Sequence, residues 1–184
     1  MINFRKNNFL ELNTFHTLFF LIIITSIRII LLYLTPLGLS VDEAQYWDWS
    51  KQLEFGYFSK PPLISWLIYL TTFFLGETEW AIRFSSPILH LGISLIIWLI
   101  AKKIYGYRTA NISAIIWVTL PLTSLGSFII STDTPLLFFW CVAFYSFIKL
   151  FDTKSLFWPV VLGISLGLGF LTKYAVLFFI IGLC

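Results

Sequence analysis

Charge is scarce in this 184-residue chain: Asp, Glu, Lys and Arg make up 11% of it, 59% is hydrophobic, and the mean hydropathy is +0.90. A soluble domain needs a far more charged surface, so the composition excludes one and indicates an integral membrane protein. Strict alternation of apolar and polar residues is missing too, which excludes lipid-facing barrel strands and leaves helices. No long basic run is present and the net charge is only +3, so nucleic acid is not an expected partner. Cysteine is nearly absent: Cys141 lies inside an apolar segment and Cys184 at the very end, with no metal-ligand spacing and no grounds for a disulfide. Both read as packing residues. No Walker loop, zinc spacing or Ser-His-Asp arrangement is visible, and His16 and His90 stand without ligand partners and read as structural.

What is present is a series of apolar blocks of membrane-crossing length, since ~20 apolar residues cross ~30 Å of hydrocarbon as helix. Spans are predicted at about 14–35, 80–101, 109–130, 134–151 and 156–172, with a further one beginning at 174 and incomplete at 184. The start, with Arg5 and Lys6 before a long apolar run, imitates a signal peptide. The run continues to about Leu34 without a small-residue cleavage site, so it reads as an uncleaved first span. Residues 63–75 would cover only ~20 Å as a helix, short of a crossing. They read as interfacial or re-entrant, with Pro61 and Pro62 at the start, where proline costs no helical hydrogen bond.

Charge placement tests that choice. If residues 63–75 do not cross, Arg5, Lys6, Lys102, Lys103, Arg108, Lys149 and Lys154 all fall on the cytoplasmic side, as the positive-inside rule requires. The opposite face then carries Asp42, Glu43, Asp48, Glu54, Glu77, Glu79 and Asp133, together with Lys60 and Lys173. The expectation is an all-α, polytopic membrane protein forming one transmembrane unit over 1–184, with an extracytoplasmic loop at 36–79 that holds interfacial helices. The chain ends in an apolar run without a polar cap, which suggests truncation, and no second domain or internal repeat is visible.

The polar residues of that face are the candidates for chemistry. Asp42 and Glu43 follow the first span at the water interface, where a carboxylate can take a proton from a hydroxyl nucleophile or hold a cation. An ordinary hydrated loop acid explains them equally well. Lys60, stiffened by the prolines after it, is a point-charge ligand for a lipid phosphate or a snorkelling lysine at a helix start. Asp133 precedes Pro135 at the start of the fourth span and reads alone as a helix cap worth ~1 kcal/mol. Sharing a face with Asp42 raises it to a candidate second acid. Lys173 interrupts a long apolar stretch, and a lysine in hydrocarbon costs ~2.5–3.5 kcal/mol, so it marks a turn at the surface or meets an anion. Arg28 lies inside the first span nearer its outer end, where it could snorkel outward or pair with an acid, and is assigned no role. Tyr46, Trp47, Trp49, Phe55, Tyr57, Phe58 and Trp66 could stack on sugar rings, yet an interfacial aromatic belt accounts for most of them. Gly163 and Gly167 have helix-packing spacing.

Taken in order, several segments resemble a known family. They are Asp42-Glu43-Ala44-Gln45-Tyr46-Trp47, Gly56-Tyr57-Phe58-Ser59-Lys60-Pro61-Pro62-Leu63, Arg83-Phe84, Thr132-Asp133-Thr134-Pro135 and Leu171-Thr172-Lys173. The resemblance is to the N-terminal part of the polyprenyl-phosphate-sugar-dependent glycosyltransferases of the GT-C fold, which include protein O-mannosyltransferases and the aminoarabinose transferase of lipid A. It implies transfer of a sugar, with inversion, from a polyprenyl-phosphate donor to a hydroxyl acceptor on a glycan, lipid or protein at the extracytoplasmic side of a cell inner membrane. By the same likeness Asp42 matches the catalytic base or acceptor-orienting acid, Glu43 its companion, Lys60 a contact to the carrier phosphate, Asp133 a second cavity acid and Lys173 a further phosphate-holding lysine. The aminoarabinose transferase has a metal-binding glutamate where this chain has Ser59, so no metal site is carried over. No cofactor is evident, and a divalent cation is left open. The family's members are several hundred residues longer. The alternative is a non-catalytic membrane protein that binds lipid phosphate, or an inactive remnant; an ion or solute transporter fits less well, because the spans hold few polar residues.

Overall fold

The structure is a computed structural model that describes residues 13–152 and 154–182. Arg5, Lys6 and Cys184, which entered the sequence reading, lie outside the described residues. Every regular element among the described residues is a helix. Three helical stretches are long and apolar enough to cross a membrane: Thr14–Leu34, Glu79–Tyr105 and Asp133–Leu150.

α1 (Thr14–Leu34) is capped by Asn13, whose side chain accepts from the Phe15 amide. A linker leads into α2 (Val41–Ser50) and, after a loop, α3 (Leu63–Leu75). α3 has the bounds expected for an interfacial helix. Leu63, Ile64, Ser65 and Ile68 are buried, while Tyr69, Leu70, Phe73 and Phe74 are exposed. Gly76 closes α3 at φ 86°, a conformation that costs a residue with a Cβ. α4 (Glu79–Arg83) and α5 (Ser85–Tyr105) form the second long stretch, and Gly106, at φ 87°, turns the chain into α6 (Tyr107–Thr119).

The expected span at 109–130 is not one helix. Leu120 is extended (φ −57°, ψ 136°), as a residue before proline prefers, and Pro121 opens the short α7 (Pro121–Gly126). Pro121 has no N–H to give the Trp117 carbonyl, and the Thr123 hydroxyl donates to that carbonyl instead. The Val118 carbonyl accepts from the Arg28 guanidinium, which also donates to the Ser124 hydroxyl at 2.8 Å. Arg28 therefore neither snorkels nor meets an acid; buried in the bundle, it satisfies backbone at the helix break.

α8 (Asp133–Leu150) packs against both α5 and α9 (Phe157–Thr172), and α5 also packs on α6 and α1. Where a further span was expected from 174, a 3-10 turn (Tyr174–Val176) leads into α10 (Leu177–Ile181). Leu21, Ala114 and Val118 form one buried cluster within the bundle, flanked by Leu91 and Trp98. The glycine expectation needs correction. A Cβ at Gly163 or Gly167 would meet nothing within 4 Å, because that face of α9 is open. The close approaches are at Gly169, where a Cβ would lie 2.8 Å from Val176, and at Gly92, where it would lie 2.7 Å from Phe138.

The two ends of the bundle differ in chemistry. At one end Lys103 pairs with Asp152 at 2.8 Å, Lys102 lies over the rings of Trp98 and Tyr107, and Lys149 over those of Tyr145 and Trp158. The other end holds α2, α3, α4 and the start of α8, with Tyr46, Ile64, Ile68, Ile82 and Ile130 as a second buried cluster.

Candidate functional site

The site is organised around one buried carboxylate. Ser40 caps α2, accepting from the Glu43 amide, and Glu43 Oε2 accepts from the Ser40 amide at 2.9 Å, a reciprocal capping box. The same carboxylate reaches across the fold. Arg83 donates from Nε to Oε1 at 2.8 Å and from Nη2 to Oε2 at 2.7 Å, and the Ile130 amide donates to Oε1 at 3.1 Å. Two further Arg83 bonds, both 2.9 Å, go to the carbonyls of Leu37 and Gly38. Glu43 is 1% exposed and Arg83 6%. Burial pushes the Glu43 pKa up, but the Arg83 hydrogen bonds, the Ser40 and Ile130 amides and the guanidinium charge together hold it below the ordinary value.

This pair ties the 37–40 linker, α2, α4 and the strand of chain entering α8 into one piece. Asp42, beside Glu43, is exposed on the first turn of α2, where its charge also suits the helix dipole. Asp133, three residues beyond Ile130, is exposed at the first residue of α8. It is not a side-chain cap. Its Oδ1 accepts from Lys173 Nζ at 2.6 Å, closing a pair across forty positions of sequence. Lys173 has extended backbone (φ −161°, ψ 135°) between α9 and the 3-10 turn, so it stands at a turn and also meets an anion.

Tyr46 lies one turn after Asp42 on the same face of α2. It is 4% exposed, in the cluster with Ile64, Ile68, Ile82 and Ile130. Burial raises its phenol pKa, and the charges of Asp42 and Asp133 raise it further. The charges of both acids thus reach the Tyr46 phenol, and Asp133 is itself paired with Lys173. Lys60 lies half-buried in the loop before α3, with no hydrogen bond or ion pair from its ammonium to a described residue.

The aromatics have a role that sequence reasoning missed: they fasten the loop that carries Lys60. The Tyr57 ring stacks on Trp49 at 4.9 Å, and its hydroxyl shares its one proton between the Trp49 and Gln52 carbonyls and accepts from the Glu54 amide. Trp66 Nε1 donates to the Glu54 carbonyl at 3.0 Å. Arg83 was visible only as part of a matching segment, although Ser40-x-x-Glu43 is a capping-box signature that marks the start of α2 in the bare sequence. Two shallow clefts of about 250 and 270 Å³ lie on the far side of α2, around Trp47 and Lys51, away from Asp42 and Asp133. Among the described residues, no three His, Cys, Asp or Glu side chains gather as metal ligands.

Residues 59–184 match the family described as dolichyl-phosphate-mannose-protein mannosyltransferase. The chain belongs to this family. The matched segment includes Lys60, Asp133 and Lys173, with Asp42 and Glu43 preceding it. Among curated relatives, the chain is 38% identical over 156 residues to the lipid A galacturonosyltransferase RgtD of Rhizobium johnstonii, covering 84% of this chain and 33% of that protein. It is 30% identical over 178 residues to the undecaprenyl phosphate-alpha-4-amino-4-deoxy-L-arabinose arabinosyl transferase of Wigglesworthia glossinidia brevipalpis, covering 82% and 31%. The lipopolysaccharide core galacturonosyltransferase RgtA of Rhizobium johnstonii is 26% identical over 150 residues, covering 80% and 30%. The chain thus spans about a third of the length of the curated relatives it matches. No solved structure matches it. Membership of the family and the all-helical, apolar architecture agree: this is part of a polytopic GT-C membrane domain.

Proposed function

We propose that the protein transfers a sugar from a polyprenyl-phosphate carrier to a hydroxyl acceptor of the cell envelope, at the extracytoplasmic face of the inner membrane. The observation that carries this reading is the Asp133–Lys173 pair, with the charges of Asp133 and Asp42 both reaching the buried Tyr46, at the end of the bundle opposite Lys103 and Asp152. In this reading residues 1–184 form one transmembrane unit, the basic end faces the cytoplasm, and the 36–79 loop lies outside.

In the reaction the acceptor oxygen attacks the anomeric carbon from the face opposite the phosphate, so the configuration inverts. Its C–O bond forms as the bond from carbon to phosphate oxygen breaks, and the electron pair leaves on polyprenyl phosphate. Asp42 takes the acceptor proton. Lys60 and Lys173 offset the charge on the departing phosphate. Asp133 is a second acid in the same space, and it holds Lys173 until the carrier phosphate competes for the ammonium. Glu43 has its oxygens committed to Arg83, Ser40 and Ile130, which makes it a positioning residue for Asp42 rather than a second base.

Membranes carrying the protein, supplied with undecaprenyl-phosphate sugars that include 4-amino-4-deoxy-L-arabinose and with lipid A as acceptor, test the proposal. Asp42→Asn and Lys60→Ala are each expected to slow transfer at least about tenfold. Unchanged turnover in both variants rules out the assigned roles. Co-purification of undecaprenyl phosphate without any transfer points to the non-catalytic lipid-phosphate binder.

A further inference from the structure

The Tyr46 side chain does more than fill the core. Its ring belongs to the buried cluster with Ile64, Ile68, Ile82 and Ile130, and Trp49 is tilted against it at 5.8 Å. Its hydroxyl, however, makes no hydrogen bond to a described residue and is not among the sealed, unpartnered polar atoms of the fold. A nearly buried tyrosine ordinarily finds a partner for its O–H. Asp42 lies four residues earlier on the same face of α2, Asp133 lies three residues beyond Ile130 of the same buried cluster, and the charges of both acids reach the phenol.

The charge around the phenol selects what can bind there. Two carboxylates repel a phosphate, so the carrier's anionic group belongs with Lys60 and Lys173. A neutral polyol suits the acids and the phenol together, because its hydroxyls donate to carboxylates while its oxygens accept from the phenolic O–H. We propose that Tyr46 is a substrate-binding residue whose hydroxyl donates a hydrogen bond to an oxygen of the sugar being transferred. This rests on the glycosyl-transfer reading above and divides the site into a sugar half, Asp42, Tyr46 and Asp133, and a phosphate half, Lys60 and Lys173.

Tyr46→Phe removes the hydroxyl and leaves the ring packing in place. In the membrane assay, kcat/KM for the undecaprenyl-phosphate sugar is expected to fall about tenfold, the size of one lost substrate hydrogen bond. The inhibition constant of undecaprenyl phosphate without a sugar stays at the wild-type value. A general loosening of the site would weaken both. The assignment is overturned if Tyr46→Phe transfers sugar as fast as wild type, or if donor and sugar-free carrier lose affinity together. Wild-type protein that transfers no sugar sinks the glycosyl-transfer reading and the Tyr46 role with it. An active wild type with an unaffected Tyr46→Phe sinks the Tyr46 role alone.

Discussion

At the residue scale, Asp42 and Glu43 are adjacent in sequence and opposite in circumstance. Asp42 is exposed at a helix start, whereas Glu43 is sealed and bonded to Arg83, Ser40 and Ile130. The lowered pKa of Glu43 makes a pH prediction. Because the folded state holds the carboxylate more acidic than the unfolded chain does, its contribution to stability is fully present above the ordinary value of ~4.3. That contribution drains away as pH falls through the lowered value. Thermal stability in detergent should therefore fall in acid below about pH 4.3, and Glu43→Gln should flatten that part of the profile while lowering stability at neutral pH. An unchanged profile in Glu43→Gln would show that other carboxylates control acid unfolding. The capping-box spacing of Ser40 and Glu43 was legible in the sequence, but the burial that separates the two acids was not, since it depends on Arg83, forty residues away, and on the Ile130 amide.

At the element scale, the break between α6 and α7 is the feature most at odds with hydropathy. An apolar run from 109 to 130 predicts one span, but Pro121 removes an N–H donor and constrains Leu120. In a lipid environment the freed carbonyls need donors, and Thr123 and Arg28 provide them. Thr123→Val, which keeps the shape and deletes the hydroxyl, should cost about 1–3 kcal/mol in unfolding free energy. Arg28→Met should cost at least as much. If both variants unfold like wild type, the break is satisfied some other way. Pro121 was legible as a helix breaker, but the donors were not, because Arg28 comes from a different helix about ninety residues earlier. α3 was the converse case: its thirteen apolar residues between the prolines and Gly76 determined its length.

At the scale of the whole molecule, the ends of the bundle separate Lys103, Asp152, Lys102 and Lys149 from the face carrying Asp42, Asp133 and Lys173. With Cys141 and Cys184 replaced by serine, a membrane-impermeant thiol reagent should label Gln45→Cys in intact cells or spheroplasts. Asp152→Cys should react only after permeabilisation. The reverse pattern would invert the proposed orientation. The sequence by itself determined the membrane class, the helical architecture, the bounds of α1, α3, α8 and α9 and the family, because these follow from hydropathy, proline and glycine placement and ordered local motifs. Tertiary structure alone decided that Glu43 is a buried anchor, that Lys173 pairs with Asp133, that Arg28 serves a broken helix and that Tyr46 is buried within reach of two acidic charges. Each of those depends on contacts between segments far apart in the chain, and composition and spacing carry no record of which distant groups share a dry interior or a common charge field.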